Sequence, residues 1–245
     1  MKKLLLLIGL IAIGTLANAN TLLNVNFSSS DELMLINDVN TSNFWKKKGL
    51  SQEKVLSVAH KIMLDNKINK RVPIFVPNKK DVNAYTSLYD KSVAVHEGIL
   101  YYVDNDDELA FIVAHEIAHS VEANGGVFKY IAMSFNSKKY EQKADLMAVD
   151  YMVRAGYNPV AAISMGNKLF GEPIFDWGFT YSHPKGSKRL ISMYKHIYAK
   201  YPQYLSSSYT KAPMYVNFQY ALDKDIRAFE QKQKKRQLRD KQDEL

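Results

Sequence analysis

The fold of this 245-residue chain is decided by one stretch, Asn105-Asp106-Asp107-Glu108-Leu109-Ala110-Phe111-Ile112-Val113-Ala114-His115-Glu116-Ile117-Ala118-His119. Asn105 can cap a helix, and Glu108 follows three residues later, as in a capping box. Residues 109–114 are apolar on every side, which indicates a buried helix. The sequence therefore predicts a helix that begins near Asn105, runs through the core and is ended by the Gly125-Gly126 pair.

The pattern His-Glu-x-x-His, from His115 to His119, lies on this helix. Residues four apart on a helix lie one above the other, so the two imidazoles can share one metal ion. Glu116 is offset around the helix and can take a proton from an attacking water without binding the metal. Two imidazoles with one carboxylate and an open position suit Zn²⁺, so we expect one zinc ion per chain. Another divalent metal, or a metal-free network in which the histidines hydrogen-bond Glu116, is the alternative.

A third ligand is expected from the next predicted helix, where Glu141 and Asp145 are again four residues apart. Glu141 can complete the metal site, and Asp145 can accept a hydrogen bond from the second nitrogen of a ligand histidine. Taken alone, the two carboxylates are better explained as an exposed helix pair with lysines nearby. Beside the histidine motif, the ligand interpretation is preferred.

Around this stretch the patterning predicts a mainly helical α+β fold with a small β-sheet beside the His-Glu-x-x-His helix. Helices are expected at 51–66 and 139–155, from Pro159, and after Pro184; strands are expected at 71–76, 83–86 and within 93–103, where Gly98 marks a turn or bulge. We assign one domain, which carries the predicted zinc site, to 51–200. An N-terminal extension at 20–50 precedes it, and a C-terminal extension at 201–245 ends in a basic, charged helical tail.

The first 19 residues have the pattern of a signal peptide. Lys2 and Lys3 precede an apolar run from Leu4 to Ile13, and Ala17-Asn18-Ala19 offers a cleavage site before Asn20. The run is shorter than the roughly 20 residues of a membrane-spanning helix. We therefore expect export, to the periplasm of a Gram-negative bacterium, and a soluble chain after cleavage. An uncleaved N-terminal anchor in the inner membrane is the alternative.

Charge and cysteine content exclude several classes of function. The formal net charge is +8, and much of the excess lies between Lys224 and Lys241. No nucleic-acid-binding module or aromatic platform accompanies these cations, so no nucleic-acid partner is expected. They indicate a solvated tail with at most peripheral contact with an anionic membrane. The absence of cysteine excludes disulfides and makes a closed structural zinc site a poor interpretation.

Between about residues 51 and 198 the chain resembles the HtpX- and BepA-like zinc metallopeptidases, a family that also contains the CAAX prenyl endopeptidases. Six motifs carry the resemblance, in the family's order: Asn83-Ala84-Tyr85, Gly98-Ile99-Leu100, Asp107-Glu108-Leu109-Ala110 leading into the histidine motif, Glu141 to Asp145, Arg154-Ala155-Gly156-Tyr157-Asn158-Pro159, and Ser182-His183-Pro184 with Arg189. The resemblance implies a zincin-like domain in which Glu141 is the third zinc ligand and Asp145 supports the site.

The resemblance also implies roles for residues that spacing alone does not single out. His183 would stabilise the oxyanion of the reaction, and Arg189 would line the same cleft. Asn83 and Ala84 would lie on an edge strand that pairs with extended substrate. The expected activity is zinc-dependent endopeptidase cleavage of unfolded or misassembled cell-envelope proteins. The alternative is a client-binding assembly or chaperone-like factor with latent or little proteolysis.

Overall fold

The structure, a computed structural model, describes residues 35–36, 52–87, 89–122, 137–170, 186–206 and 208–243. The strands in this part are β1 (Leu35–Ile36), β2 (Ile74–Phe75), β3 (Ala84–Thr86) and β4 (Val93–Val95). The helices are α1 (Gln52–Asp65), α2 (Glu97–Leu100), α3 (Asp106–Glu122), α4 (Ser137–Arg154), α5 (Val160–Leu169), α6 (Gly186–Lys200), α7 (Pro213–Ala221) and α8 (Asp223–Asp243), with 3₁₀ turns at Pro202–Ser206 and Ser208–Lys211. The predicted mainly helical α+β fold is confirmed.

The described strands form one sheet in the order β1-β2-β4-β3. β1 and β4 run parallel to β2, whereas β3 runs antiparallel to β4, with Ala84 opposite Val95 and Thr86 opposite Val93. β3 is therefore an edge strand of the described sheet. Both β3 and β4 pack against α3, so the small sheet lies beside the helix of the histidine motif.

The prediction of strands throughout Val93–Val103 is wrong after Val95, because β4 is followed by the short helix α2. A Cβ at Gly98 would overlap the carbonyl oxygens of Lys80 and Asp81, so this position accepts only glycine. Ile99 and Leu100, which follow Gly98, are buried in this helix. Hydrophobic pattern cannot separate a short buried strand from a short buried helix, and the close approach of a second backbone decides it here.

Helix α3 begins much as predicted, with one difference in its cap. Glu108 N donates to Asn105 Oδ1 at 3.0 Å, which confirms the capping role of Asn105. The Glu108 side chain does not complete the box at Asn105; its Oε2 accepts from Asp104 N at 2.9 Å and from Lys168 Nζ at 2.6 Å. A buried carboxylate needs a cation, and Lys168 on α5 supplies it. Gly125 and Gly126 lie outside the described residues.

The end of α4 and the start of α5 follow from two residues of the sequence. Gly156 has φ +74°, a conformation that L side chains rarely adopt, and Tyr157 N donates to Met152 O at 2.8 Å. Asn158 Oδ1 then accepts from Val160 N at 3.0 Å and caps α5. The predicted stop at Gly156 and restart at Asn158 are confirmed.

α3 lies in the middle of the molecule and contacts α1, α4, α5 and the sheet. Its apolar residues from Leu109 to Ala114 are all buried, as predicted. Tyr215 and Phe218 of α7 are buried in the same core, so the packing continues beyond Lys200. Among the helices of the described ranges, none combines the length and apolar character needed to cross a membrane.

Asp150 fastens α4 to the end of α6. His196 Nε2 lies 2.6 Å from Asp150 Oδ1, Tyr201 Oη donates to the same oxygen at 2.8 Å, and Lys200 Nζ donates to Oδ2 at 3.2 Å. Burial alone would raise the pKa of Asp150, but these partners outweigh burial and lower the pKa from 3.8 to about 2. The ionised carboxylate therefore stabilises the folded state.

We predict that Asp150→Asn lowers the free energy of unfolding by about 2 kcal/mol at pH 7. Because the folded pKa lies below the unfolded one, this contribution is present above about pH 4 and is lost as the pH falls toward 2. The loss in the free energy of unfolding should therefore shrink to about half at pH 3. The measurement is urea unfolding in the presence of a chelator. Asp223→Asn, which removes an exposed pair with Arg227, is the control and should have little effect. A loss for Asp150→Asn that is equal at both pH values would contradict this account.

Candidate metal centre

One turn of α3 and one turn of α4 bring three potential ligands together. His115, His119 and Glu141 each offer a ligand atom, and these atoms all lie within 4.8 Å of one another. His115 Nε2 is 3.1 Å from His119 Nε2. Glu141 Oε1 is 3.2 Å from His119 Nε2, and its Oε2 is 3.5 Å from His115 Nε2. The two histidines face one point because they are four residues apart on α3.

These distances fit a tetrahedral metal ion. Nitrogen and oxygen ligands lie about 2.0–2.2 Å from zinc, which places neighbouring ligand atoms roughly 3.3–3.5 Å apart. The three observed separations, from 3.1 to 3.5 Å, lie close to that range. Two imidazoles and one carboxylate are also a donor set that zinc accepts, with a fourth position left for water or substrate. The group could hold a zinc ion.

A second layer of buried charge surrounds the three potential ligands. Asp145 Oδ1 lies 3.0 Å from His115 Nδ1, the nitrogen that does not face His119. Arg189 of α6 donates to both oxygens of Asp145, from Nε and from Nη2, each at 2.6 Å. Its Nη1 lies 3.1 Å from Glu141 Oε2. Arg189 thus contacts two of the carboxylates of the site, and its guanidinium carbon lies 3.8 Å from the ring centre of Phe170.

The charges of this layer control one another's ionisation. Burial alone would lower the pKa of His115, but Asp145 and Glu141 outweigh burial and raise the pKa to about 10 in the absence of metal. Burial would raise the pKa of Asp145, but Arg189 and His115 outweigh it and lower that pKa. Asp145 is therefore ionised and can hold a proton on Nδ1 of His115. This leaves Nε2 to bind a metal in place of its second proton.

The side chain of Glu116 projects from α3 toward the edge strand β3. Its side chain is buried, and its Oε2 accepts a hydrogen bond from Thr86 Oγ1 at 2.8 Å. It does not belong to the group of three potential ligands. Glu116 is thus next to the potential ligand His115 in the sequence, but its carboxylate is held by a hydrogen bond from β3. This arrangement leaves Glu116 available for proton transfer.

The other residues predicted for the site are placed differently. Arg189 lies in the site, through its contacts with Asp145 and Glu141. Ala84 begins β3, and Asn83 precedes it with its carbonyl oxygen accepting from His96 N at 2.9 Å, inside the β3–β4 ladder. Both residues are therefore at the predicted edge strand. His183 lies outside the described residues.

Two residues of this region, Thr86 and Phe170, were not predicted from the sequence. Side chains two apart on a strand share a face, so placing Ala84 against α3 would have placed Thr86 there too. That periodicity was the available signal. Phe170 stacks on Arg189 from the end of α5, and nothing in the sequence pairs these two residues.

Removing Arg189 should leave the buried charge of Asp145 without the two hydrogen bonds and the positive charge that stabilise it. We predict that Arg189→Met lowers the free energy of unfolding by about 3 kcal/mol, measured by urea unfolding in the presence of chelator. The double variant with Asp145→Asn should be clearly less destabilised than the sum of the single variants, because the charge to be compensated is gone.

Lys61→Met is the matched control for this pair. Lys61 bonds Asp65 at 2.7 Å on the exposed face of α1, with half of its side chain exposed. Its loss should change the free energy of unfolding by less than about 1 kcal/mol. Additive effects of Arg189→Met and Asp145→Asn would show that the two buried charges do not compensate each other.

Comparison with known protein families gives one match. Residues 46–131, about a third of the chain, match the model of Peptidase family M48. No curated protein matches the chain. The matched segment contains His115, Glu116, His119 and the edge strand β3, whereas Glu141 and Arg189 lie beyond its end. The segment that carries the histidine motif is thus similar to peptidase family M48, and this similarity suggests metallopeptidase activity.

Proposed function

We propose that the protein is a zinc-dependent endopeptidase. The observation that carries the proposal is the convergence of His115, His119 and Glu141 at tetrahedral ligand separations, beside the buried carboxylate of Glu116. The M48 match over the same helix supports it. The three residues would hold one zinc ion, and Asp145 would orient His115 from behind.

Zinc bound at this site would polarise the scissile carbonyl and make water more acidic. Glu116 acts as general base: its carboxylate takes a proton from the attacking water and later gives that proton to the leaving nitrogen. Arg189 is buried and keeps Glu141 and Asp145 in place. His183 is proposed, on the family resemblance alone, to stabilise the oxyanion. No covalent bond between enzyme and substrate is needed.

The substrate proposed for this site is an extended peptide. β3 lies at the edge of the described sheet and packs against the helix that carries Glu116. A peptide that adds to this edge would place its main chain beside the general base. Such binding uses hydrogen bonds to main-chain groups of the peptide. It favours unfolded segments over folded domains, because these groups are already paired in a folded domain.

The biological setting proposed is quality control of unfolded or misassembled envelope proteins, in the periplasm. Support comes from the signal-peptide pattern in residues 1–19 and from the family resemblance. A factor that holds clients without cutting them would use the same edge strand. The cleavage experiment separates the two functions.

We predict that the mature protein cleaves unfolded casein, that a chelator stops cleavage, and that Glu116→Gln lowers turnover at least 100-fold with zinc content unchanged. Glutamine keeps the size of the side chain but cannot accept the proton. The measurement is casein cleavage together with zinc content for both proteins. Glu108→Gln, a second buried glutamate on the same helix, is the control and should keep cleavage. Zinc binding without cleavage by the wild type would favour the client-holding function.

We also predict that His119→Ala lowers the zinc content from one per chain to near zero after dialysis, because only two protein ligands remain. His60→Ala is the matched control, since His60 is exposed on α1, away from the site. The measurement is elemental analysis of the dialysed proteins. Unchanged zinc in His119→Ala would refute the ligand assignment.

A further inference from the structure

The edge strand and the proposed general base touch through one hydroxyl group. Thr86 Oγ1 lies 2.8 Å from Glu116 Oε2 and 2.7 Å from the main-chain oxygen of Glu116. Thr86 is the last residue of β3, and Glu116 is in the middle of α3. The contact therefore spans two elements and reaches the one carboxylate to which the mechanism gives a proton-transfer role.

The main chain of Thr86 faces away from β4. In the β3–β4 ladder, Ser87 N donates to Ser92 O at 2.7 Å and His96 N donates to Asn83 O at 2.9 Å. The hydrogen-bonded positions on the β3 side are therefore the odd-numbered ones. In an antiparallel pair, the alternate residues direct N–H and C=O to the opposite side. Ala84 and Thr86 thus present their main-chain groups at the edge where no described strand pairs.

One hydroxyl group can hold Glu116 both before and after it takes a proton. A threonine hydroxyl has one hydrogen to donate and lone pairs to accept. With Glu116 as a carboxylate, Thr86 donates to Oε2. With Glu116 as a carboxylic acid, Thr86 can accept from Oε2 and donate to the main-chain oxygen of Glu116, which lies 2.7 Å away. The carboxyl group therefore has a hydrogen-bond partner in the same place on both sides of the proton transfer.

We propose that Thr86 is a positioning residue that fixes the Glu116 carboxylate relative to a peptide bound on β3. Its main chain would pair with the peptide, and its hydroxyl holds the base. Thr86 would thereby position both the peptide bond to be cut and the general base. This inference rests on the proposed peptidase function. It assigns to Thr86 a role in the rate of the reaction, with peptide binding left to the main chain.

A second hydroxyl contact between the same elements separates this role from a purely structural one. Ser120 Oγ donates to Lys91 O at 2.7 Å, which ties α3 to the β3–β4 hairpin. Lys91 has φ +62°, so this tie holds a turn in a less common conformation. The two hydroxyl groups connect the same helix to the same hairpin, and that of Thr86 contacts the carboxylate of Glu116.

The test compares Thr86→Val with wild type in casein-peptide cleavage. Valine matches threonine in shape and suits a strand, but has no hydroxyl. We expect kcat to fall roughly tenfold and KM to change less than about twofold, because a hydrogen bond to a charged group is lost while main-chain pairing remains. Zinc content and the thermal midpoint should stay close to wild type. Thr86→Ser, which keeps the hydroxyl, should restore most of kcat.

Ser120→Ala is the matched control. It removes the other hydroxyl tie between hairpin and helix, and we expect it to keep kcat within about twofold. A readout that does not need turnover comes from the Glu116→Gln background. Affinity for an uncut casein peptide should be the same with and without Thr86→Val. A tenfold loss of affinity there would show that Thr86 builds the binding edge, and would overturn the positioning role.

The outcomes separate this inference from the proposed function. Wild-type cleavage that Glu116→Gln abolishes and Thr86→Val leaves unchanged would refute the role of Thr86 and leave the peptidase intact. An equal loss of kcat in Thr86→Val and Thr86→Ser would also refute it, because the hydroxyl would then not be the group that matters. No cleavage by wild type would refute the peptidase and the role of Thr86 with it. A crystal structure of Thr86→Val with Glu116 in its present place would contradict the inference independently of activity.

Discussion

The buried ion pair between Arg189 and Asp145 is the interaction on which the rest of the site depends. Asp145 is fully buried and Arg189 nearly so, and an isolated charge at either position would cost several kcal/mol. Each compensates the other through two hydrogen bonds of 2.6 Å. The pair fixes α6 against α4, and the remaining contacts of the two side chains orient His115 and Glu141. Replacing such a pair by apolar residues can be neutral for stability, so its value lies in the geometry it imposes.

This geometry divides the charged groups at α3 into two sets with different surroundings. His115 and His119 face α4, where Glu141 lies within 3.5 Å of both. The side chain of Glu116 points from another side of the helix toward the sheet, where it accepts a hydrogen bond from the neutral hydroxyl group of Thr86. A carboxylate that is to move a proton must not be neutralised by a permanent cation. The contact of Glu116 with the neutral hydroxyl group of Thr86 satisfies this requirement better than a place in the ligand cluster would.

In the proposed function, the antiparallel strand β3 would connect substrate binding to this arrangement. The other described strands of the sheet are parallel to one another and lie further from the open edge. β3 combines a main-chain edge at which no described strand pairs with side chains that alternate between α3 and the opposite face, where the half-exposed Tyr85 packs edge-on against His96. In the proposed function, peptide recognition and proton transfer would therefore meet in this one short strand.

The sequence by itself determined the elements whose causes are local. The His115-Glu116-x-x-His119 pattern, the Asn105 cap and the stop at Gly156 each depend on spacing within a few residues, so the buried helix, its potential ligands and the following helices could be predicted. Glu141 was predicted from the same four-residue periodicity on the next helix together with the histidine motif and the family resemblance. The tertiary structure alone decided the contacts between distant segments, namely the hydrogen bond of Thr86 to Glu116, the stacking of Phe170 on Arg189 and the short helix that replaces a strand at Gly98. Each of these depends on which surfaces meet, and periodicity along one chain segment does not contain that information.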